Sequence, residues 1–106
     1  MKRKKVTVLR LSGCIYCEEL VRELNIHGIE YTSHDAEEVP DYADQVEEKI
    51  GTNTYPIIIL EIGDLAPFYI FRAEDYNDMG ESSLGDAVKI GTVSINSMVE
   101  IILNLT

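Results

Sequence analysis

An apolar strand pattern, a close pair of cysteines and an amphipathic helix pattern follow one another at the start of this chain, and that succession constrains the fold most. Val6-Thr7-Val8-Leu9 is apolar and β-branched, so Lys5 to Leu11 reads as a strand. Ser12-Gly13 signals a turn. Cys17, Leu20, Val21 and Leu24 then recur on one helical face, with Glu18, Glu19, Arg22 and Glu23 on the other. Gly28 ends that helix, and Ile29 to Ser33 alternates as a second strand. Two strands joined by a helix over this length form a βαβ unit, which makes the strands parallel.

The helix pattern begins at Cys14-Ile15-Tyr16-Cys17, and these are the chain's 2 cysteines. A thiolate at a helix N-terminus meets the positive end of the backbone dipole and unpaired N–H groups. Both can lower a cysteine pKa from about 8.5 into the range of roughly 3.5–7.5. A second thiol one turn on can attack a mixed disulfide formed by the first. A bridge between residues this close stabilises almost nothing, because the loop it closes is tiny. The pair therefore points to chemistry rather than to a structural staple, and its thiols are expected to be reduced at rest in a cytoplasmic protein.

Downstream, Asp35 to Val39 reads as an acidic loop. Pro40-Asp41 can open a helix whose shared face would be Tyr42, Val46 and Ile50, closed by Lys49 and Gly51. After Thr52-Asn53-Thr54, the continuous apolar run Tyr55-Pro56-Ile57-Ile58-Ile59-Leu60 reads as a strand buried on both faces. Proline is tolerable at its start and would not be in its middle. Gly63-Asp64 to Pro67 suggests a hairpin, with Phe68 to Arg72 returning antiparallel. Glu74 to Gly91 is polar and the least legible stretch, with a short strand at Ala87 to Ile90. Ile95, Met98, Val99 and Ile102 form a last helical face, capped by Ser94.

The chain's 106 residues suit a single domain, 1–106, and its 45% hydrophobic content is ordinary for a globular one. Net charge is -10, while Lys2, Arg3, Lys4 and Lys5 gather four of the 9 positive charges at the start. That start reads as a solvated tail. The acidic remainder would repel a phosphate backbone, so no nucleic acid is expected. No run approaches the ~20 apolar residues of a membrane span. The basic-then-apolar opening resembles a signal peptide, but Arg10 interrupts it and no small-residue cleavage site follows.

The order β-α-β-α-β-β-α, with Cys14-Ile15-Tyr16-Cys17 opening the first helix and Thr54-Tyr55-Pro56 before the third strand, resembles the thioredoxin fold and, within it, the glutaredoxins. Their corresponding motifs are Cys-Pro-Tyr-Cys and Thr-Val-Pro. The resemblance implies an α/β protein with a central mixed four-stranded sheet flanked by three helices. It implies that Cys14 and Cys17 are catalytic, and that Pro56 is cis and lies against them. Arg10, Tyr16, Thr54, Tyr55, Pro56, Thr92 and Ser94 are the expected substrate-binding residues, with Tyr55 offering its main chain to a peptide-like substrate. The expected partners are a protein disulfide and, as reductant, glutathione or a flavoprotein reductase; a monomer is expected. The family's lysine three residues before the first cysteine is replaced by Leu11, and its basic or amide residue three before the proline is Asn53. The family's Gly-Gly pair before the last helix has its nearest equivalent in Gly91-Thr92.

Other readings of the same residues are a thioredoxin-like electron donor and a redox-silent binding module that uses a sheet edge. Cys14, Cys17, His27 and His34 match no standard zinc spacing, so no metal is expected. Asp75, Asn77, Gly80 and Asp86 echo a calcium loop, but Met79 stands at its fifth position and the final bidentate glutamate is missing. Tyr16 reads as an aromatic on the active-site rim, and Phe68, Tyr69 and Phe71 read as sheet packing.

Overall fold

The computed structural model describes residues 4–51, 54–72, 80–83, 87–92 and 94–105. Elements run in the order β1 (Lys4–Arg10), α1 (Ile15–Ile26), β2 (Thr32–Asp35), α2 (Pro40–Ile50), β3 (Ile57–Ile62), β4 (Phe68–Arg72), β5 (Gly80–Ser83), β6 (Val88–Thr92) and α3 (Ile95–Asn104). The strands form one sheet in the order β2-β1-β3-β4-β6-β5. β1 pairs parallel with β2 and antiparallel with β3, β3 pairs antiparallel with β4, and β4 pairs parallel with β6. The expected four strands are therefore present, but among the described residues the sheet has six. β6 covers part of the anticipated Ala87–Ile90 strand, and β5 pairs antiparallel along its outer side. Gly80-Glu81-Ser82-Ser83 carries no apolar alternation, so its pairing leaves no sequence pattern to read.

β3 is the strand around which the layers assemble. Ile58, Leu60 and Ile62 join Val6, Val8 and Ile70 in a cluster covered by Leu20 and Leu24 of α1 and by Ile95, Met98, Val99 and Ile102 of α3. Ile57 and Ile59 face the other way, where Leu9, Phe71 and Cys17 meet Ala43, Val46 and Ile50 of α2. Alternation along one strand thus sends consecutive isoleucines into two different cores. Each such side chain, fully buried, contributes about 1.5–3 kcal/mol relative to exposure. Ala43, not Tyr42, completes the buried face of α2. Residues 43, 46 and 50 follow the i, i+3, i+7 rule, whereas Tyr42 lies one step round the helix and is exposed.

The second strand begins later than expected, at Thr32. Gly28 adopts φ 65° and donates its N–H to Asn25 O at 3.2 Å, while Ile29 N–H reaches Leu24 O at 2.9 Å. This is a Schellman turn, and it uses Ile29 as the apolar plug closing α1 rather than as a strand residue.

A polar cluster then ties β2 to the turn that precedes the cysteines. Asp35 accepts the Glu37 N–H at 2.9 Å and the Ser12 hydroxyl at 3.0 Å, with Arg10 Nη1 at 3.9 Å. Arg10 Nε also donates to Ser33 Oγ at 2.7 Å. The Glu37 N–H, then the Ser12 hydroxyl and the Arg10 charge, hold the Asp35 carboxyl below the usual carboxylate range, against the opposing effect of burial.

Two outcomes are expected. No atom lies within 4 Å of a Cβ built on Gly28, so Gly28→Ala meets only the left-handed backbone penalty of about 1–2 kcal/mol. It should lower the melting temperature by roughly 4–8 °C per kcal/mol lost; an unchanged melting curve would refute the turn. For Asp35 the folded pKa lies below the ordinary 3.8, so its contribution is complete above about pH 5 and is lost as pH falls through the folded value. Asp35→Asn should therefore destabilise at pH 7 and do so progressively less towards pH 3, followed by circular-dichroism melts at both ends.

Candidate active site

β1, β4 and β6 all end at the edge of the sheet where β3 begins, because β3 runs antiparallel to its neighbours. At that edge the chain leaves β1, turns through Ser12-Gly13 and enters α1. Cys14 is the N-cap residue of α1, with extended backbone at φ -83° and ψ 113°. Its Sγ accepts the main-chain N–H of Cys17 at 3.1 Å. Its N–H donates to Leu11 O at 3.3 Å, and its C=O accepts the Glu18 N–H at 3.1 Å. A sulfur thus occupies the position that a serine or aspartate oxygen usually takes at a helix start.

Cys14 and Cys17 are joined as a disulfide, with Cα atoms 5.2 Å apart. They are not equivalent. Cys17 is 2% exposed and belongs to the α2-side core, whereas Cys14 is half-buried and reaches the surface. Among the described residues no three or more His, Cys, Asp and Glu side chains gather as a metal set. His27 caps the C-terminal end of α1 and lies 3.8 Å from Glu23.

The rim around the cysteines is apolar and aromatic. Ile15 is 76% exposed and Tyr16 45% exposed. The guanidinium carbon of Arg72, the last residue of β4, sits 3.9 Å from the centroid of the Tyr16 ring. Such a cation–π contact contributes about 0.5–2 kcal/mol. Arg72 Nε is buried and has no hydrogen-bond partner among the described residues. The sequence reading did not single out Arg72, because an arginine closing a strand looks like a solvated end. Only the β4 register and the helix start together bring it over Tyr16.

The other expected residues are placed as follows. The Tyr55–Pro56 bond is cis, directly ahead of β3. Thr54, Tyr55 and Pro56 are buried. The Tyr55 hydroxyl donates to Glu47 Oε2 at 2.8 Å; burial first, and then this contact, push the phenol upwards. Thr92, register partner of Arg72, is buried and donates its hydroxyl to Ser94 O at 3.2 Å. Ser94 caps α3 by accepting the Ser97 N–H at 3.1 Å. Arg10 turns to Ser33 and Asp35 and lines a groove of about 570 Å³ shared with Leu11, Cys17, Glu18 and Arg22. Leu11, at the family's lysine position, is half-buried against the α2-side core. Lys49 lies 5.9 Å from the Tyr69 ring centroid. Asn53, and Asp75, Asn77, Met79 and Asp86 of the calcium-like pattern, lie outside the described residues.

No helix among the described residues is long and apolar enough to cross a membrane. No curated protein and no solved structure matches this chain. The family model described as Glutaredoxin matches residues 6–63, a stretch that runs from β1 past the end of β3 and carries both cysteines and the Tyr55–Pro56 turn. More than half of the 106 residues are covered, and a mixed sheet flanked by three helices surrounds them. On that match, the chain belongs to the glutaredoxin family, and its architecture is the thioredoxin fold.

Proposed function

We propose that this protein reduces protein disulfides, or mixed disulfides of glutathione, through Cys14 and Cys17. The carrying observation is the position of Cys14: half-buried, at the N-cap of α1, with its sulfur accepting the Cys17 N–H. In the reduced protein that N–H and the helix dipole favour a thiolate on Cys14. The Cys14 thiolate attacks one sulfur of the substrate disulfide. A Cys14–substrate disulfide forms and the other substrate sulfur leaves as a thiolate, which takes up a proton. Cys17, giving up its proton, then attacks the Cys14 sulfur. The second substrate thiolate leaves, and the Cys14–Cys17 disulfide remains. Two electrons have passed to the substrate. Burial of Cys17 keeps it from meeting large substrates directly and reserves it for this second step.

The substrate segment lies over the rim made by Tyr16, Thr54, Tyr55 and Pro56, with Arg10, Thr92 and Ser94 around it. Glutathione or a flavoprotein reductase returns the electrons. The flavoprotein reading gains from one feature. Glutathione carries two carboxylates, Leu11 offers none of the charge the family's lysine would, and Arg10 is engaged by Ser33 and Asp35. A protein with such a pair has a reversible two-electron couple in the range of about -200 to -230 mV. A redox-silent binding module has none, which a redox titration decides.

Cys14→Ser is expected to abolish disulfide reduction, whereas Cys17→Ser should still form the mixed disulfide and stall there. Iodoacetamide labelling of the reduced protein against pH, read by mass spectrometry, should modify Cys14 first and below neutral pH. Modification of Cys17 first would reverse the assigned roles. One charge-assisted contact contributes roughly 1.5–3 kcal/mol, or one to two powers of ten in affinity. Leu11→Lys should therefore lower the apparent Michaelis constant for glutathione by about tenfold in a coupled glutathione reductase assay. No change would mean that this chain takes up carboxylates elsewhere.

A further inference from the structure

The Arg72–Tyr16 pair is not used by the thiol exchange just described, although Tyr16 lies between the two cysteines. Arg72 falls beyond the 6–63 stretch that matches the family model. Three observations bear on it. The guanidinium is held 3.9 Å from the Tyr16 ring centroid. Its Nε is buried without an acceptor among the described residues. Finally, no ion pair engages it there, whereas Arg10, the arginine at the end of β1, is already held by Asp35 and Ser33. Among the described residues the guanidinium thus has no acidic partner, although the chain's net charge is -10. A guanidinium laid on an aromatic ring is pre-organised, and its planar fork matches a carboxylate in two parallel hydrogen bonds.

We infer that Arg72, stacked on Tyr16, is a specificity-determining residue that selects disulfide substrates carrying a carboxylate a few atoms from the scissile sulfur. This rests on the dithiol reading above. The carboxylate approaches over the rim, pairs with Arg72, and brings the adjacent sulfur to Cys14. Ile15, 76% exposed, offers the neighbouring apolar surface. The carboxylate has two sources, an acidic residue beside a cysteine in a peptide or a small acidic thiol, and the chemistry recognised is the same for both.

The test uses the whole reduced protein in single-turnover reactions, quenched with acid and read by mass spectrometry as formation of the Cys14–Cys17 disulfide. One arm compares bis(2-carboxyethyl) disulfide with its neutral amide, bis(2-carbamoylethyl) disulfide. The other compares an end-capped peptide disulfide bearing Glu next to its cysteine with the Gln peptide. The expected result is a rate ratio of about tenfold in favour of the acid in at least one arm, falling towards one in Arg72→Gln. A preference confined to the peptide arm assigns the carboxylate to a protein substrate, and one confined to the small disulfides assigns it to an acidic thiol. Tyr16→Leu leaves the charge but removes the platform, and it should also lower the ratio. Lys4→Gln, at the far end of β1, should keep it. Ratios near one in both arms of the native protein overturn the inference, as does a ratio that survives Arg72→Gln and Tyr16→Leu or falls equally in Lys4→Gln. If neither the acid nor the neutral probe oxidises the protein, the dithiol reading itself fails, which is a different result from equal rates.

Discussion

The burial of β3 on both faces is the constraint on which the rest depends. Ile57, Ile58, Ile59 and Leu60 are all buried, so neither face of this strand can be left to water. One side must be covered by α1 and α3, the other by α2. Antiparallel pairing on both flanks then brings the ends of β1 and β4 to the start of β3. The cysteine turn, the Tyr55–Pro56 bond and Arg72 share one edge of the molecule for that reason. Cys17 and Tyr55 also share the α2-side core, and Arg72 lies over the Tyr16 ring.

At that edge the protein works against its own charge. With a net charge of -10, and Glu18 and Glu19 on the first turns of α1, the long-range field disfavours a thiolate. The opposing influences are short-range: the N-terminal end of α1 and the Cys17 N–H, 3.1 Å from the Cys14 sulfur. Short contacts in a half-buried site are screened less than distant surface charges are. The same field acts on substrates. It slows the approach of anionic ones, and a cation at the rim counters that locally.

Sequence periodicity revealed most of the frame because local and global signals agreed. In α1 the apolar face of Cys17, Leu20 and Leu24 coincides with the buried one, and Gly28 closes the helix as a left-handed residue should. Ser94 caps α3 as its position implied. Where local pattern and tertiary demand diverged, the reading slipped. Ile29 alternates like a strand residue but serves the end of α1. Tyr42 looked like a core residue, yet the helix turns Ala43 inward. β5 has main-chain pairing and no apolar code. The Ser12–Asp35 and Arg72–Tyr16 contacts join residues far apart in sequence, and no spacing rule reaches that far.

The two extra strands bear on this last point. β6 pairs parallel with β4 from Phe68 to Arg72, so Arg72 ends an interior strand rather than a sheet edge. At an edge, a terminal arginine would be free to turn into water and its stem would be loosely held. β4 is flanked by β3 as far as Phe71 and by β6 to its end, where Thr92 stands in register with Arg72. The Arg72 Nε is withdrawn from solvent, and the guanidinium is laid against the helix that carries the cysteines. Leaving a buried donor without an acceptor, as Nε is among the described residues, costs about 1–3 kcal/mol, and the ring contact contributes in the opposite direction. β6 therefore does more than widen the sheet: it pairs with the end of the strand whose arginine lies over Tyr16.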